Sequence, residues 1–533
     1  MPLDRRLNAI AMMFRQTGMA CAVMSLAGLS TVAHGAERPN ILFAFGDDFG
    51  RYASVYAQIE KNNELCKLVD TPNFDRIARE GVLFTNAHVP APSSTACRSS
   101  LLSGQYFWRT GMGANLWGDW NDSIPSYPLL LEDNGYTIGF SYKAWGPGHP
   151  LNAPYGGEAK KFQKRGGKFG SFSQEVTRRG KETPAGKDYD AAKQMLYKEV
   201  AGNFEDFLAT CTDGVPFCYW WGPTNTHRAW QRGSGKELWG IDPDKLKGIM
   251  PSFLPDVPEI REDFADYLGE VMAFDRGLGA LIEVLEREGL IGNTMIVVSG
   301  DHGIPGFPRG KCNLYDLGTR VALAVRYPAT VKGGRVIEDF INLMDLAPTF
   351  LEYGETAIPD VMTGRSFRNI LDGGASGRVD PERDYVVTGK ERHVPDARDG
   401  FLPYPQRAIV TSEYKYIRNF MPMREPMGTL ETDFRDLDGG PTKQWFLLHY
   451  YDTRYAREIQ LAFAKRPYEE LYDRVRDEWE VNNLAYDPAY QQVRRELSAK
   501  LDSVLIAAED PRMSEEVAEF DYMPYTRPTR ERN

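Results

Sequence analysis

The chain has 533 residues, 42% of them hydrophobic and 26% charged, with a net charge of −11 at pH 7. That length exceeds what one core serves, so two domains are expected, and the composition excludes a disordered or fibrous protein. The acidic balance excludes non-specific nucleic-acid binding, and it repels a polyanion wherever local basic patches do not intervene.

In chain order, Arg5, Arg6 and Arg15 precede an apolar run from Met19 to Ala33, and small residues follow at Ala33, Gly35 and Ala36. This is the pattern of an export signal over residues 1–36, which predicts a periplasmic or secreted protein. The run is broken by Ser and Gly and is short for a bilayer span, so no membrane association beyond export is expected. Residues 1–35 carry three arginines and one aspartate, so their removal takes the net charge to −13. Cys66, Cys97, Cys211, Cys218 and Cys312 then remain, an odd number that excludes a fully paired framework; a Cys211–Cys218 bridge stays open.

The run Ile41–Phe45 reads as a buried strand that delivers Asp47 and Asp48 at its C-terminal edge. Thr71-Pro72 opens a helix with Phe74 and Ile77 on one face, and Gly81 stops it. A second strand, Val82–Phe84, leads to Ser94-Thr95-Ala96-Cys97-Arg98, the start of another helix. Thr137–Tyr142 is a strand ending at Lys143, and Phe217–Trp221 one ending near Asn225 and His227. A helical pattern over residues 263–288 leads to the strand Met295–Ser299, which ends at Gly300-Asp301-His302, and Val321–Arg326 reads as one more strand. This alternation predicts an α/β domain over residues 37–375, a large mostly parallel sheet sandwiched by helices. From residue 376 to 533 the texture changes to short strands (Asp384–Gly389, Gln406–Ser412, Lys415–Asn419) and late helices (Thr453–Lys465, Pro488–Ala507), a smaller α+β domain.

Two acidic dyads at strand ends, about 250 residues apart, suggest a divalent-metal cage of Asp47, Asp48, Asp301 and His302. Adjacent acids at the end of a buried strand are costly unless paired. A small hydroxyl at Ser94, four residues before Arg98, adds a nucleophile and an anion clamp.

The run from Ser94 through Leu101-Leu102-Ser103-Gly104, with both dyads in order, resembles the formylglycine-dependent (type I) sulfatases of the alkaline phosphatase superfamily. Their core motif is C/S-x-P/A-x-R followed by L-x-T/S-G. The resemblance implies an alkaline phosphatase-like fold, a sulfatase activity and oxidation of Ser94 to formylglycine. A serine at this position implies maturation by a bacterial radical-type enzyme. It also implies one divalent cation, Ca²⁺ in the family, held by Asp47, Asp48, Asp301 and His302 with the Ser94 side chain beside it. His302 stands where family members carry a neutral oxygen ligand, a departure toward a softer donor. Arg98 would hold the nucleophile, Lys143 and Lys311 would touch sulfate oxygens, and His227 would serve the leaving group. The family histidine two residues after Lys143 is Trp145 here, with His149 as a stand-in.

Glu470-Leu471-Tyr472-Asp473 and Asn483-Leu484-Ala485 resemble the family's C-terminal signature, and within sulfatases Asn419–Lys443 and the Asp301-His302-Gly303-Ile304-Pro305 segment look most like bacterial relatives of heparan N-sulfatase. The substrate implied is a sulfated oligo- or polysaccharide, with no nucleic acid. His149, Arg228, Asn313, Arg392 and His393 are the expected substrate-binding set, with Lys390 on the same rim. The Gly-rich segment Glu158–Lys187, nine Lys/Arg against three Glu, is the expected basic lip. Two other readings stay open. One is a metal-dependent phosphatase or phosphonate hydrolase using unmodified Ser94, and the other is a non-catalytic glycan-binding protein on the same fold.

Overall fold

The computed structural model describes residues 38–60, 63–150, 153–182, 187–514 and 518–525. The expected export signal, residues 1–36, lies outside them, as do residues 183–186 of the expected basic lip.

Seven strands form the large sheet: β1 (Asn40–Gly46), β2 (Val82–His88), β3 (Thr137–Tyr142), β4 (Phe217–Gly222), β5 (Thr294–Gly300), β6 (Leu323–Arg326) and β7 (Arg335–Asn342). Their order is β3-β4-β1-β5-β6-β2-β7. The pairs β3/β4, β4/β1, β1/β5 and β2/β7 are parallel, and β6 runs antiparallel to both of its neighbours. β1 and β5 are buried along their whole length, which is why they read as continuous apolar runs rather than alternating ones. Helices cover both faces. On one side the long helix Pro258–Arg287 packs Phe264, Leu268, Val271 and Phe274 against Leu42, Ala44 and Trp221. On the other side the helices Tyr127–Asp133 and Leu346–Tyr353 pack against Phe43, Phe45 and Trp220.

The second sheet is an antiparallel meander of β8 (Tyr385–Lys390), β9 (Gln406–Thr411), β10 (Tyr414–Asn419) and β11 (Glu469–Asp473). The helix Gln491–Ala507 lays Leu497, Leu501 and Leu505 on it beside Val387, Ile409 and Tyr416. Polar bonds tie this sheet to the connection between β5 and β6: Tyr315 Oη donates to Glu470 Oε2 at 2.8 Å, and Lys415 Nζ reaches Asp316 Oδ1 at 2.5 Å. The large mostly parallel sheet and the smaller α+β part are therefore as expected. β7 and β11 were not anticipated as strands. Cys66, Cys97, Cys211, Cys218 and Cys312 are all free, so Cys211 and Cys218 are not bridged. Among the described residues no helix is long and apolar enough to cross a membrane.

The register of the parallel strands places the site. Gly46 of β1 sits opposite Gly300 of β5, so Asp47-Asp48 and Asp301-His302 leave the sheet side by side. Tyr142 sits opposite Gly222, so Lys143 emerges at the same edge, with its N–H bonded to the Gly222 carbonyl at 2.9 Å. Gly300 must be glycine, because a Cβ there would lie 2.0 Å from the Phe49 carbonyl oxygen.

Candidate active site

Ser94 begins the helix Ser94–Ser103, every residue of which is buried. Gly104 ends it in the left-handed conformation (φ 65°), where a Cβ would strike Met362 Sδ at 2.7 Å. Ser94 does not cap this helix. Its hydroxyl turns inward and lies 2.8 Å from Asp301 Oδ2, 3.2 Å from Asp47 Oδ1 and 3.2 Å from His302 Nε2. One turn on, Arg98 is fully buried, with Nε 3.0 Å from Asp301 Oδ2 and Nη2 3.0 Å from Asp47 Oδ1. Its Nη1 donates to the carbonyls of Lys143 and Ala144, so the guanidinium fork has no freedom to turn. Lys143 Nζ completes this side at 2.6 Å from Asp47 Oδ1.

Asp48 lies across from them with a positive φ of 62°, strained for a residue with a Cβ. Its Oδ2 accepts from Lys311 Nζ at 3.1 Å. Its Oδ1 is buried without a hydrogen-bond donor and faces His302 Nε2 at 3.2 Å. His302 Nδ1 lies 3.2 Å from the Gly303 carbonyl, which can only accept, so the proton belongs on Nδ1 and the Nε2 lone pair points at the carboxylates.

The electrostatics differ across the cage. Burial works against ionisation of Asp47, but Lys143 and Arg98 hold its carboxyl well below the usual range. Burial pushes Asp48 well above that range; only Lys311 opposes it, while Asp47 and Asp301 add repulsion. Burial also depresses His302 to about 4 and lowers His227, so both imidazoles are neutral at pH 7. With Asp48 ionised, as a bound cation would make it, four carboxylates (Asp47, Asp48, Asp301 and Asp438) face three permanent cations (Arg98, Lys143 and Lys311). One divalent cation among them would leave a single positive charge, the complement of a monoanionic sulfate ester. An orphaned buried carboxylate oxygen and a correctly oriented imidazole together fit a metal. Asp48, Asp301 and His302 bring three ligand atoms within 4.8 Å of one another, and Asp47, Asp48 and His227 form a second such group.

His227 Nε2 lies 4.0 Å from Asp48 Oδ2. Its Nδ1 is 2.6 Å from the Arg228 carbonyl and so carries the proton, leaving Nε2 free. Thr226 Oγ1 bonds the Asp47 carbonyl at 2.6 Å and fixes this loop to the end of β1.

The expected substrate-binding set is mostly corrected. Arg228 forms a two-pronged pair with Asp263 (2.8 and 2.6 Å) and stacks on Trp230, so it builds the wall rather than the rim. Arg392 is buried and spends its guanidinium on the carbonyls of Met523 and Pro524. Lys390 is buried with Nζ 2.8 Å from the Cys312 carbonyl. His393 lies beneath the site, its Nδ1 2.9 Å from Ser93 Oγ, and burial lowers it to about 3. Asn313 Nδ2 donates to the Lys311 carbonyl at 3.1 Å, which braces the Lys311 turn from inside. His149 is exposed, and its backbone pairs with Gly118 and Trp120. Trp145 fills the family histidine slot, bonding Ser99 Oγ at 2.9 Å.

The segment Glu158–Lys187 is not an open loop. It carries the helix Phe172–Lys181, and Lys160, Lys161, Arg165 and Arg178 pair with Glu132, Glu158, Asp206 and Glu175. Sequence reasoning missed Asp438, whose Oδ2 is 3.0 Å from Lys311 Nζ. Its only signal was its place in the polar stretch before Pro441-Thr442-Lys443.

The family model for Sulfatase matches residues 39–356. The chain belongs to the sulfatase family. A model for the C-terminal part of N-sulphoglucosamine sulphohydrolase matches residues 309–425. The chain is 27% identical to human N-sulphoglucosamine sulphohydrolase, over 92% of this chain and 94% of that one. It is 26% identical to an ulvan-active sulfatase of Formosa agariphila, over 89% and 76%. Among solved structures it resembles one in complex with its substrate D-glucosamine-2-N,6-O-disulfate (TM-score 0.58, 18% identity, 90% and 100% covered). It also resembles the phosphonate monoester hydrolase of Agrobacterium radiobacter (TM-score 0.59, 18% identity, 88% and 96%). The protein is thus a sulfuric ester hydrolase on an alkaline phosphatase-like fold.

Proposed function

We propose that this sulfatase is exported and removes O- or N-linked sulfate from sulfated glycans, with Ser94 oxidised to formylglycine by a radical-type maturating enzyme. The observation that carries this reading is the Ser94 hydroxyl lying within 3.2 Å of Asp47, Asp301 and His302. As a hydrated aldehyde, that side chain would offer two hydroxyls on one carbon, one to attack sulfur and one to drive release, a route closed to serine. Asp47, Asp48, Asp301 and His302 would hold one Ca²⁺, which would supply charge neutralisation for the anionic sulfate. The sulfated-sugar substrates of the relatives support the substrate class.

The residues of the chain divide the remaining work. Arg98 fixes the nucleophile through a fork already clamped on Asp47 and Asp301. Lys143 and Lys311, on opposite sides of the carboxylates, face the sulfate oxygens as they gain charge. His227, with Nδ1 committed to a carbonyl, has Nε2 free to take up a proton and pass it to the leaving atom.

The experiment is peptide mass spectrometry of the Ser94 segment after co-expression with a maturating enzyme. It is paired with sulfate release from N-sulfoglucosamine, N-acetylglucosamine 6-sulfate and ulvan oligosaccharides. Loss of two hydrogens at Ser94 with sulfate release is expected. An intact serine in protein that cleaves phosphonate monoesters but no sulfated compound overturns the reading.

A further inference from the structure

The polar groups of the site differ in depth. Asp48, Asp301 and Arg98 are fully buried, and the Lys311 side chain is only 6% exposed. Three side chains reach solvent: His227 (37%), Asp438 (23%) and Lys143 (18%). These mark the mouth. Two of them suit an anion. Asp438 does not, yet it stands against Lys311, on the side where His227 meets the leaving atom.

Asp438 is held in place from both sides. Asp436 accepts from Val394 N–H at 2.9 Å and from Arg398 Nη1 at 2.8 Å. Lys443 Nζ donates to the Leu437 carbonyl at 2.8 Å, and Thr442 N–H bonds Asp263 Oδ2 at 3.2 Å. The backbone on either side of Asp438 is therefore fixed, and Lys311 Nζ, 3.0 Å from Oδ2, orients the carboxylate. Beside it, a Cβ built on Gly439 would meet nothing within 4 Å, so the chain here borders open space. Burial alone would push the Asp438 carboxyl up, but the Lys311 ammonium pulls it far below the usual range. It is a permanent anion at the entrance to an anion site.

We propose that Asp438 is the specificity-determining carboxylate of the leaving-group side. It accepts a hydrogen bond from a hydroxyl or ammonium vicinal to the scissile sulfate and repels a second sulfate or a carboxylate at that position. This deepens the sulfatase reading and rests on it. A sugar seated with its sulfate among Lys143, His227 and Lys311 would bring its neighbouring ring substituent to the Asp438 oxygens, with Gly439 leaving room for the ring. The basic groups once expected to welcome a second anion there, Arg228 and Arg392, are committed to Asp263 and to backbone carbonyls. A charge-charge repulsion across about 6 Å near a protein surface corresponds to roughly tenfold to hundredfold in affinity.

The test uses the matured full chain and three aryl sulfates: phenyl sulfate with no neighbour, catechol monosulfate with a vicinal hydroxyl, and catechol disulfate with a vicinal anion. For a compound that binds without turnover, its competitive inhibition constant replaces kcat/KM. Wild-type protein is expected to prefer them in the order monosulfate, phenyl sulfate, disulfate. Asp438→Asn is expected to narrow the gap between phenyl sulfate and disulfate at least about tenfold, through KM rather than kcat. If all three substrates fall by the same factor in Asp438→Asn, the residue only steers Lys311 and the proposal is overturned. The wild-type ordering stands apart from any folding defect of the variant, and equal use of phenyl sulfate and disulfate by wild type overturns it too. No sulfate release from any aryl or sugar sulfate, with cleavage of a phosphonate monoester, overturns the sulfatase reading itself and the proposal with it.

Discussion

Glu270, on the long helix Pro258–Arg287, offers a sharp test of how the His227 loop is held. Its side chain is buried; Oε1 accepts from Ser173 N–H at 3.2 Å and Oε2 from Asn225 Nδ2 at 3.1 Å. Asn225 Nδ2 also donates to the Glu270 carbonyl at 2.8 Å, so this residue anchors the loop bearing Thr226 and His227. Among the described residues it has no ion-pair partner, and burial raises its carboxyl to about 7. In the unfolded chain the group ionises near its ordinary value of 4.5. Below that pH both states are protonated and the group is neutral to stability. Between 4.5 and about 7 the unfolded state has lost the proton that the native state keeps, so stability falls as pH rises, then levels off. A difference of that size corresponds to roughly 3 kcal/mol. Glu270→Gln removes the penalty, and its amide oxygen can go on accepting from Asn225 Nδ2, at the cost of the acceptor for Ser173 N–H. We expect Glu270→Gln to be equal to or up to about 1 kcal/mol below wild type at pH 4.5, and about 2 kcal/mol above it at pH 8. Urea midpoints at both pH values measure this. A stability difference that does not change between them refutes the argument.

Ser94→Ala is expected to lower sulfate release by about a thousandfold or more while costing under roughly 2 kcal/mol, because the hydroxyl does not cap its helix; activity at more than a hundredth of wild type refutes the nucleophile. Arg228→Ala is expected to cost about 3–5 kcal/mol, since it leaves the buried Asp263 carboxylate without its cation, whereas loss of a rim contact would leave the urea midpoint unchanged. Chelator-treated protein is expected to gain several degrees in Tm on adding 1 mM Ca²⁺, roughly the effect of binding at a hundred times Kd. Asp48→Asn should reduce that gain, and an equal gain in the variant would place the ion elsewhere.

The catalytic edge was legible because its information is local. Each chemical group follows an apolar run that can only be a buried strand, and parallel strands end together, so Asp47, Lys143, Asp301 and the His227 loop had to meet. The register Gly46 to Gly300 is the physical form of that inference. The rim was illegible because a charge does not announce its partner. Arg228 is answered by Asp263, Arg392 by the carbonyls of Met523 and Pro524, and Lys160 by Glu132, each remote in sequence. Composition alone makes all of them look free. β7 (Arg-Val-Ile-Glu-Asp-Phe-Ile-Asn) and β11 (Glu-Glu-Leu-Tyr-Asp) escaped for a related reason: their charged residues hide the apolar signature, yet both are paired, β7 with β2 and β11 with β10.

The departure at Trp145 is where sequence and structure together say more than either alone. In the family pattern a histidine here would stand two residues after Lys143 and serve as a base. The indole that replaces it is buried, bonded to Ser99 on the nucleophile helix and packed edge-on against Trp120 at 6.2 Å. No proton can be handled there. His149 is exposed and held by its backbone, and His393 is bonded to Ser93 and lowered by burial to about 3. His302 has its Nε2 lone pair turned into the carboxylate cage. His227 has its Nδ1 proton tied to the Arg228 carbonyl, and its Nε2 lies 4.0 Å from Asp48 Oδ2 on a side chain that is 37% exposed. In the proposed mechanism this one imidazole would do the work that the family divides between two, taking up a proton at the nucleophile and giving it up at the leaving atom. The clamp of Thr226 on the end of β1 and of Asn225 on Glu270 holds the loop that sets this imidazole 4.0 Å from Asp48 Oδ2.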